Sequence, residues 1–254
     1  MQKIQHPITL GITSGKGGVG KTSLAVNISF ALVQKGLRVL VVDGDLGLAN
    51  VDVLLGLSVK STIRDVLIGE MDPLESVIYP EQNLGVLPAS SGVPEMVTLG
   101  PEEKYELGEF LTSISDHFDY IIMDTAAGIG SSVLWFNTFV NHNIVILSPD
   151  PTSLTDAYVL IKILSANYHR NDFYIVTNLV GSEDEGLQIY NNLERVVQRF
   201  LNLNLHYFGA VPEDDMVSMA VRKQQPFVRL VPDGKAAQAV YTLADRVRMF
   251  ERNH

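Results

Sequence analysis

The chain of 254 residues contains no cysteine. Disulfides, thiolate metal sites, iron–sulfur ligation by thiolate and cysteine nucleophiles are thereby excluded. Six histidines are scattered with no pair at metal-ligand spacing, so they read as structural or solvated. No apolar run approaches the length that crosses a bilayer, and the opening MQKIQHP lacks the basic and apolar regions of a secretory signal. A cytoplasmic protein is expected. Positive charge is also short: 19 Lys and Arg against 29 Asp and Glu leave a net charge of −10. That balance disfavours broad attraction to nucleic acid, and direct DNA binding is not expected.

Hydrophobic residues make up 46% of the sequence, enough for a substantial core in one domain spanning residues 1–254. Short apolar runs at 8–13, 38–43, 84–89, 120–125, 143–149, 173–178 and 205–212 read as strands. Most lack polar–apolar alternation, as strands covered on both faces do, which predicts a parallel sheet. Helical spacing lies between them, at Leu24, Ile28 and Leu32 ahead of a stop at Gly36, and at Leu154, Leu160, Ile161 and Leu164. The fold class is therefore α/β: a mostly parallel twisted sheet flanked by helices on both faces. Residues 90–103, with scattered Gly and Pro, read as a surface loop.

Residues Gly15 to Thr22, GKGGVGKT, satisfy G-x-x-x-x-G-K-[ST] between a strand and a helix, the context the motif needs. Gly15, Gly17, Gly18 and Gly20 free the backbone so that amides, including that of Val19, converge on phosphate oxygens. The helix start, with Ser23 after Thr22, adds free amides and its dipole. Lys21 is placed to bridge the terminal phosphates of a nucleoside triphosphate and the Thr22 hydroxyl to hold Mg²⁺. Asp124 closes the run YIIMD before TAAG and has the form of a second, Mg²⁺-holding carboxylate, with Gly128 as a flexible point beyond it.

Lys16 occupies a position that the general motif leaves free. The resulting KGGVGKT is the hallmark of the deviant Walker A sequence, and here the chain resembles the MinD/ParA family of dimerising P-loop ATPases. The resemblance implies that Lys16 reaches across a face-to-face homodimer onto the partner's ATP. It also implies that Asp45, in VVDGDLGLANVD, orients the attacking water, while Asp43 lies near Mg²⁺ and Lys21. Asn178, ending VTN, stands where the family hydrogen-bonds adenine. The backbone around Pro212, Glu213 and Asp214 would flank the base. A GTPase would want N-K-x-D where this chain reads NLVG, so ATP is the expected nucleotide.

Further along, DGDLGLANVDVLLGL, LPASSG, DTAAGIGSSV, PDPTSLTDAY and FGAVPEDD resemble the FlhG (FleN, YlxH) branch, whose members control flagellar number and placement. That resemblance implies partners such as an FlhF-type GTPase, flagellar switch components or a flagellar transcription activator. MinD-type division-site placement and ParA-type partitioning are the alternatives. Only MQKIQHP precedes the first strand, so the branch's N-terminal activator helix for FlhF is not expected to operate here. Family members end in an amphipathic membrane-targeting helix, implying peripheral contact with the cell membrane. In KAAQAVYTLADRVRMFERNH, Val240, Leu243, Val247 and Phe250 fall along one side, with Arg246, Arg248 and Arg252 nearby. Such a stripe more often packs on its own sheet, and that is the expectation. Trp135 and Phe136 are likewise read as packing residues.

Overall fold

Each apolar run becomes a strand because neither of its faces meets water. In the computed structural model, which describes residues 7–67, 72, 74–89 and 99–252, the strands are β1 (Ile8–Ser14), β2 (Val39–Gly44), β3 (Ile78–Glu81), β4 (Leu84–Leu87), β5 (Tyr120–Ala127), β6 (His142–Leu147), β7 (Phe173–Val180) and β8 (His206–Pro212). They form one sheet in the order β3-β4-β2-β5-β1-β6-β7-β8. All pairings are parallel except β3 with β4. The sequence reading missed β3, whose Ile78-Tyr79-Pro80-Glu81 is short, half exposed and interrupted by proline, a combination confined to sheet edges.

The helices are α1 (Lys21–Val33), α2 (Val51–Leu55), α3 (Ile63–Leu67), α4 (Pro101–Ile114), α5 (Ser131–Phe139), α6 (Pro151–Tyr168), α7 (Glu183–Leu201), α8 (Asp215–Arg222), α9 (Phe227–Leu230) and α10 (Lys235–Val247). Alternate strand residues divide the core. Leu10, Ile12, Val41 and Ile122 face α1, α2 and α8–α10. Leu40, Val42, Ile121 and Met123 face α3–α5, and Val145 and Ile175 face α5–α7. Truncating any of these to alanine is expected to cost about 2–5 kcal/mol.

One expected loop is corrected. Pro101 to Glu103, read as part of a surface loop, form the first turn of α4, where proline at the start and two glutamates in the first turn are helix-opening signals. Residues 90–98 of that loop lie outside the described residues. The C-terminal stripe packs as expected: Val240, Leu243 and Val247 of α10 are buried against α1 and β8. Phe250 stacks between the rings of His142 at 4.0 Å and Phe208 at 5.6 Å. Arg246 donates to the Phe208 carbonyl, and Arg248 stands 3.8 Å from Asp245. The side chain of Arg252 lies outside the described set. Phe136 is buried and Trp135 packs beside it.

Candidate nucleotide site

The chain order reverses on either side of β1, so the carboxyl ends of β1, β2 and β5 open a crevice where ligands of such sheets sit. The segment from Gly15 to Gly20 connects β1 to α1 across it. Gly15 is required by packing, since a Cβ there would run into the backbone of Asp156 in α6. Gly20 is required twice: its φ is 91°, and a Cβ would collide with the Asn178 amide. As the helix N-cap, Gly20 supplies no side-chain acceptor, and no acidic residue stands in the first turn of α1. The free amides therefore present unopposed positive potential to the crevice.

Lys21 is buried beneath this cradle. Burial lowers its pKa, against the pull of Asp124 and Asp45, which favour the charged form. Asp124 is 1% exposed, and burial pushes its carboxyl up to about 8, with repulsion from Asp43 adding to the effect. Thr22 and Lys21 counter that shift, Thr22 by a hydrogen bond to the carboxylate. Asp124 Oδ1 nevertheless has no hydrogen-bond partner. A buried acidic oxygen left this way beside a threonine hydroxyl suits a hard divalent cation.

Asp43, the register partner of Asp124, is raised to about 6 by burial. Its Oδ1 accepts the Asp45 amide at 3.1 Å, and Oδ2 accepts the amides of Asn50 at 2.9 Å and Val51 at 3.1 Å. Asp43 thus anchors the loop into α2. Asp45, held by that loop, accepts the Leu48 amide at 3.2 Å and lines the crevice.

Two spaces meet at the start of α1. The larger, about 610 Å³, is lined by Gly17, Gly18, Lys21, Thr22, Asp45 and Thr125 among others. The smaller, about 120 Å³, lies between Ser23, Asn178, Pro212, Glu213 and Val217. Gly20 and Ser23 border both. Asn178 donates to the Val19 carbonyl at 2.8 Å, which ties β7 to the cradle. The Glu213 amide is taken by Val180 at 2.9 Å, so any contact this residue offers a base comes from its carbonyl or side chain.

Lys16 does not line either space. Its ammonium donates to Asp150 and, at 2.7 Å, to Thr152 Oγ1. Asp150 also caps α6 by accepting the Thr152 amide at 2.8 Å. Lys16 holds its carboxyl down at about 2, with Thr152 assisting. Sequence reasoning grouped PDPTSLTDAY with the FlhG-like segments but did not pair it with Lys16. The signal within reach was Asp-Pro-Thr, a helix-start pattern that shows the cap and not the long-range lysine. Gly128 follows β5 with φ of 93° and donates its amide to Ser14 at 3.0 Å. Among the described residues no group of histidines and carboxylates forms a metal cluster of its own.

This arrangement has counterparts in known proteins. The ParA family model, described as "NUBPL iron-transfer P-loop NTPase", matches residues 4–248. The antiactivator FleN of Pseudomonas aeruginosa is 40% identical over 243 residues, covering 95% of this chain and 87% of the relative. The flagellum site-determining protein YlxH of Helicobacter pylori is 32% identical over 236 residues, covering 92% and 80%. Among solved structures, the septum site-determining protein MinD of Pyrococcus horikoshii OT3, complexed with Mg-ADP, superposes with a TM-score of 0.79. It is 26% identical and covers 95% of this chain and 96% of that one.

Proposed function

This chain belongs to the ParA family of P-loop NTPases, and from that membership we propose an ATP-dependent dimerising switch of the FlhG (FleN, YlxH) type that regulates flagellar number and placement. Likeness to FleN at 40% over nearly the whole chain supports this branch, against 26% for the solved MinD. The family description names iron transfer, but a chain with no cysteine offers iron no thiolate.

ATP and Mg²⁺ are the nucleotide and cation that the site suits. The base enters the cleft of Asn178, Pro212 and Glu213, and the phosphates lie over Gly15–Gly20, Lys21, Thr22 and Ser23. Bound Mg²⁺ neutralises charge on the terminal phosphates, and the Thr22 hydroxyl and Asp124 are the residues to hold it. Asp45 orients a water in line with the γ-phosphorus. Attack by that water breaks the bond to the bridging oxygen and yields ADP and phosphate. Asp43 acts one step back by fixing the loop that carries Asp45. Positioning of this kind contributes about 10²–10⁴-fold to the rate.

The observation that carries the switch is Lys16: a cation on the phosphate loop that does not serve its own cavity and is held at the rim by Asp150. Its charge is free to meet a second triphosphate only after that contact opens. A face-to-face homodimer loaded with ATP supplies one, so dimer affinity tracks the nucleotide's charge. A flagellar transcription activator is the partner class best supported by the likeness to an antiactivator. An FlhF-type GTPase and switch components are the other candidates. Membrane contact through α10 requires its buried apolar face to leave the body. No described helix is long and apolar enough to cross a membrane.

Sedimentation of the Asp45→Ala chain with MgATP tests the reading. A dimer is expected with ATP and not with ADP, and Lys16→Ala abolishes it. Monomers in every nucleotide state would overturn the switch.

A further inference from the structure

The last turn of α8 brings to the phosphate space a cation that no motif announces. Val221 and Arg222 border that space with Lys21, Thr22 and Ser23. The first half of the same helix, at Asp215, Val217 and Ser218, borders the base cleft. From Asp215 to Arg222 the helix rises about 10 Å, so one short helix spans both compartments.

Three features define what Arg222 can do. Its guanidinium is exposed and takes part in no hydrogen bond or ion pair among the described residues. Its backbone, however, is pinned. Gln224, at a left-handed φ of 53°, donates Nε2 to the Val53 carbonyl of α2 at 2.9 Å. The Lys223 amide caps α8 by donating to Met219 and Ala220, each at 3.1 Å. Third, Ser23, whose Oγ is buried with no partner, lines the same space and stands at the junction of the two. A nucleotide with its base in the cleft and its terminal phosphates over Lys21 passes its first phosphate through that junction. The unpaired Ser23 hydroxyl borders that junction, and the unpaired Arg222 guanidinium borders the phosphate space into which it opens. Arginine's fork of donors matches a phosphate, and in a chain of net charge −10 with Asp45 and Asp124 at the same site, a further cation is what a polyanion lacks.

We propose that Arg222 is a nucleotide-binding residue that, with Ser23, holds the α-phosphate of the nucleotide bound in its own subunit. The proposal rests on the reading of this site as a nucleotide site.

Calorimetry of MgADP and MgATP binding to the full chain and to Arg222→Ala and Arg222→Lys tests it. Both ligands carry the α-phosphate. Arg222→Ala is therefore expected to weaken the two equally, by about tenfold, and Arg222→Lys by less. The melting temperature of the ligand-free variants stays at that of the parent, because Arg222 holds nothing in the folded chain, while the rise induced by MgADP shrinks. Unchanged MgADP affinity in Arg222→Ala would overturn the assignment. So would a loss confined to MgATP, which would place the guanidinium on the terminal phosphate. If the parent chain itself bound neither ligand, the nucleotide reading would fail instead, and the two failures are told apart by that control.

Discussion

Asp124 on the floor of the site and Asp150 at its rim are one residue type in opposite surroundings. Burial, with Asp43 beside it, pushes the Asp124 carboxyl up to about 8, whereas Lys16 and Thr152 hold Asp150 down at about 2. The floor is unsatisfied without a ligand: an acidic oxygen with no partner, a serine hydroxyl with none, and a lysine whose burial disfavours its own charge. The rim is satisfied without a ligand, its lysine already paired and its carboxylate capping a helix. In the proposed switch, ligand entry relieves the first region and dimerisation must undo part of the second, which makes binding and assembly separable events with separate residues.

That separation can be broken at four points. Asp45→Ala should lower ATP hydrolysis by about 10²-fold or more while MgATP affinity stays within a few-fold. Phosphate-release assays beside calorimetry measure the two, and a parallel loss of both would merge catalysis with binding. Lys21→Ala should weaken MgATP by about 100-fold without loosening the rim, because Lys16 keeps its partners. At MgATP high enough to saturate the variant its dimer constant should match the parent's, and a dimer lost even there would sink the division.

The third point is pH. In the ligand-free chain, Asp43 and Asp124 titrate at about 6 and about 8, above the value near 4 of an unfolded aspartate. The folded state therefore binds more protons than the unfolded state across this window. Their contribution to stability is full below about pH 4 and declines as the pH rises through about 6 and then about 8. Thermal melts should fall between pH 5 and pH 8, and saturating MgADP should flatten the slope. A profile equally flat without ligand would deny the strain assigned to the floor.

The smallest effect is at the rim. Asp150→Asn removes the charge facing Lys16 and keeps an N-cap residue for α6. ATP-dependent dimerisation should strengthen by about two- to fivefold, the scale of an exposed ion pair, with the melting temperature unchanged. Asp150→Ala should also lower the melting temperature, because the cap goes too. Sedimentation equilibrium with MgATP measures the gain, and an unaltered dimer constant in Asp150→Asn would remove the contact from the switch.

Much of the architecture was legible in the sequence because parallel strands buried on both faces are apolar at every position, as in Tyr120–Met123, and need no partner to be recognised. Strand β3 was not, since Ile78–Glu81 pairs on one side only and carries proline. The start of α4 was misread because its proline and glycine neighbours were weighed as loop signals without the glutamates that follow. At the site, Lys21 and Thr22 were placed by their motif. The three amides on Asp43 were not legible, because a carboxylate after a strand looks alike whether or not the following loop turns its amides back onto it. Arg222 left no trace, being one arginine at the end of an unremarkable helix.

By itself the sequence determined the phosphate cradle and the alternating strand–helix order. Both depend on neighbours along the chain: glycines that open backbone angles, an apolar run before them and a helix after. Only the tertiary structure decided which side chains meet there. Lys16 finds Asp150 across 134 positions, Asn178 finds Val19 across 159, and α8 reaches the phosphate space through a bond from Gln224 to Val53. Hydrogen bonds and ion pairs act over a few ångströms whatever the separation in sequence, so such partners exist only once the sheet has brought its strand ends together.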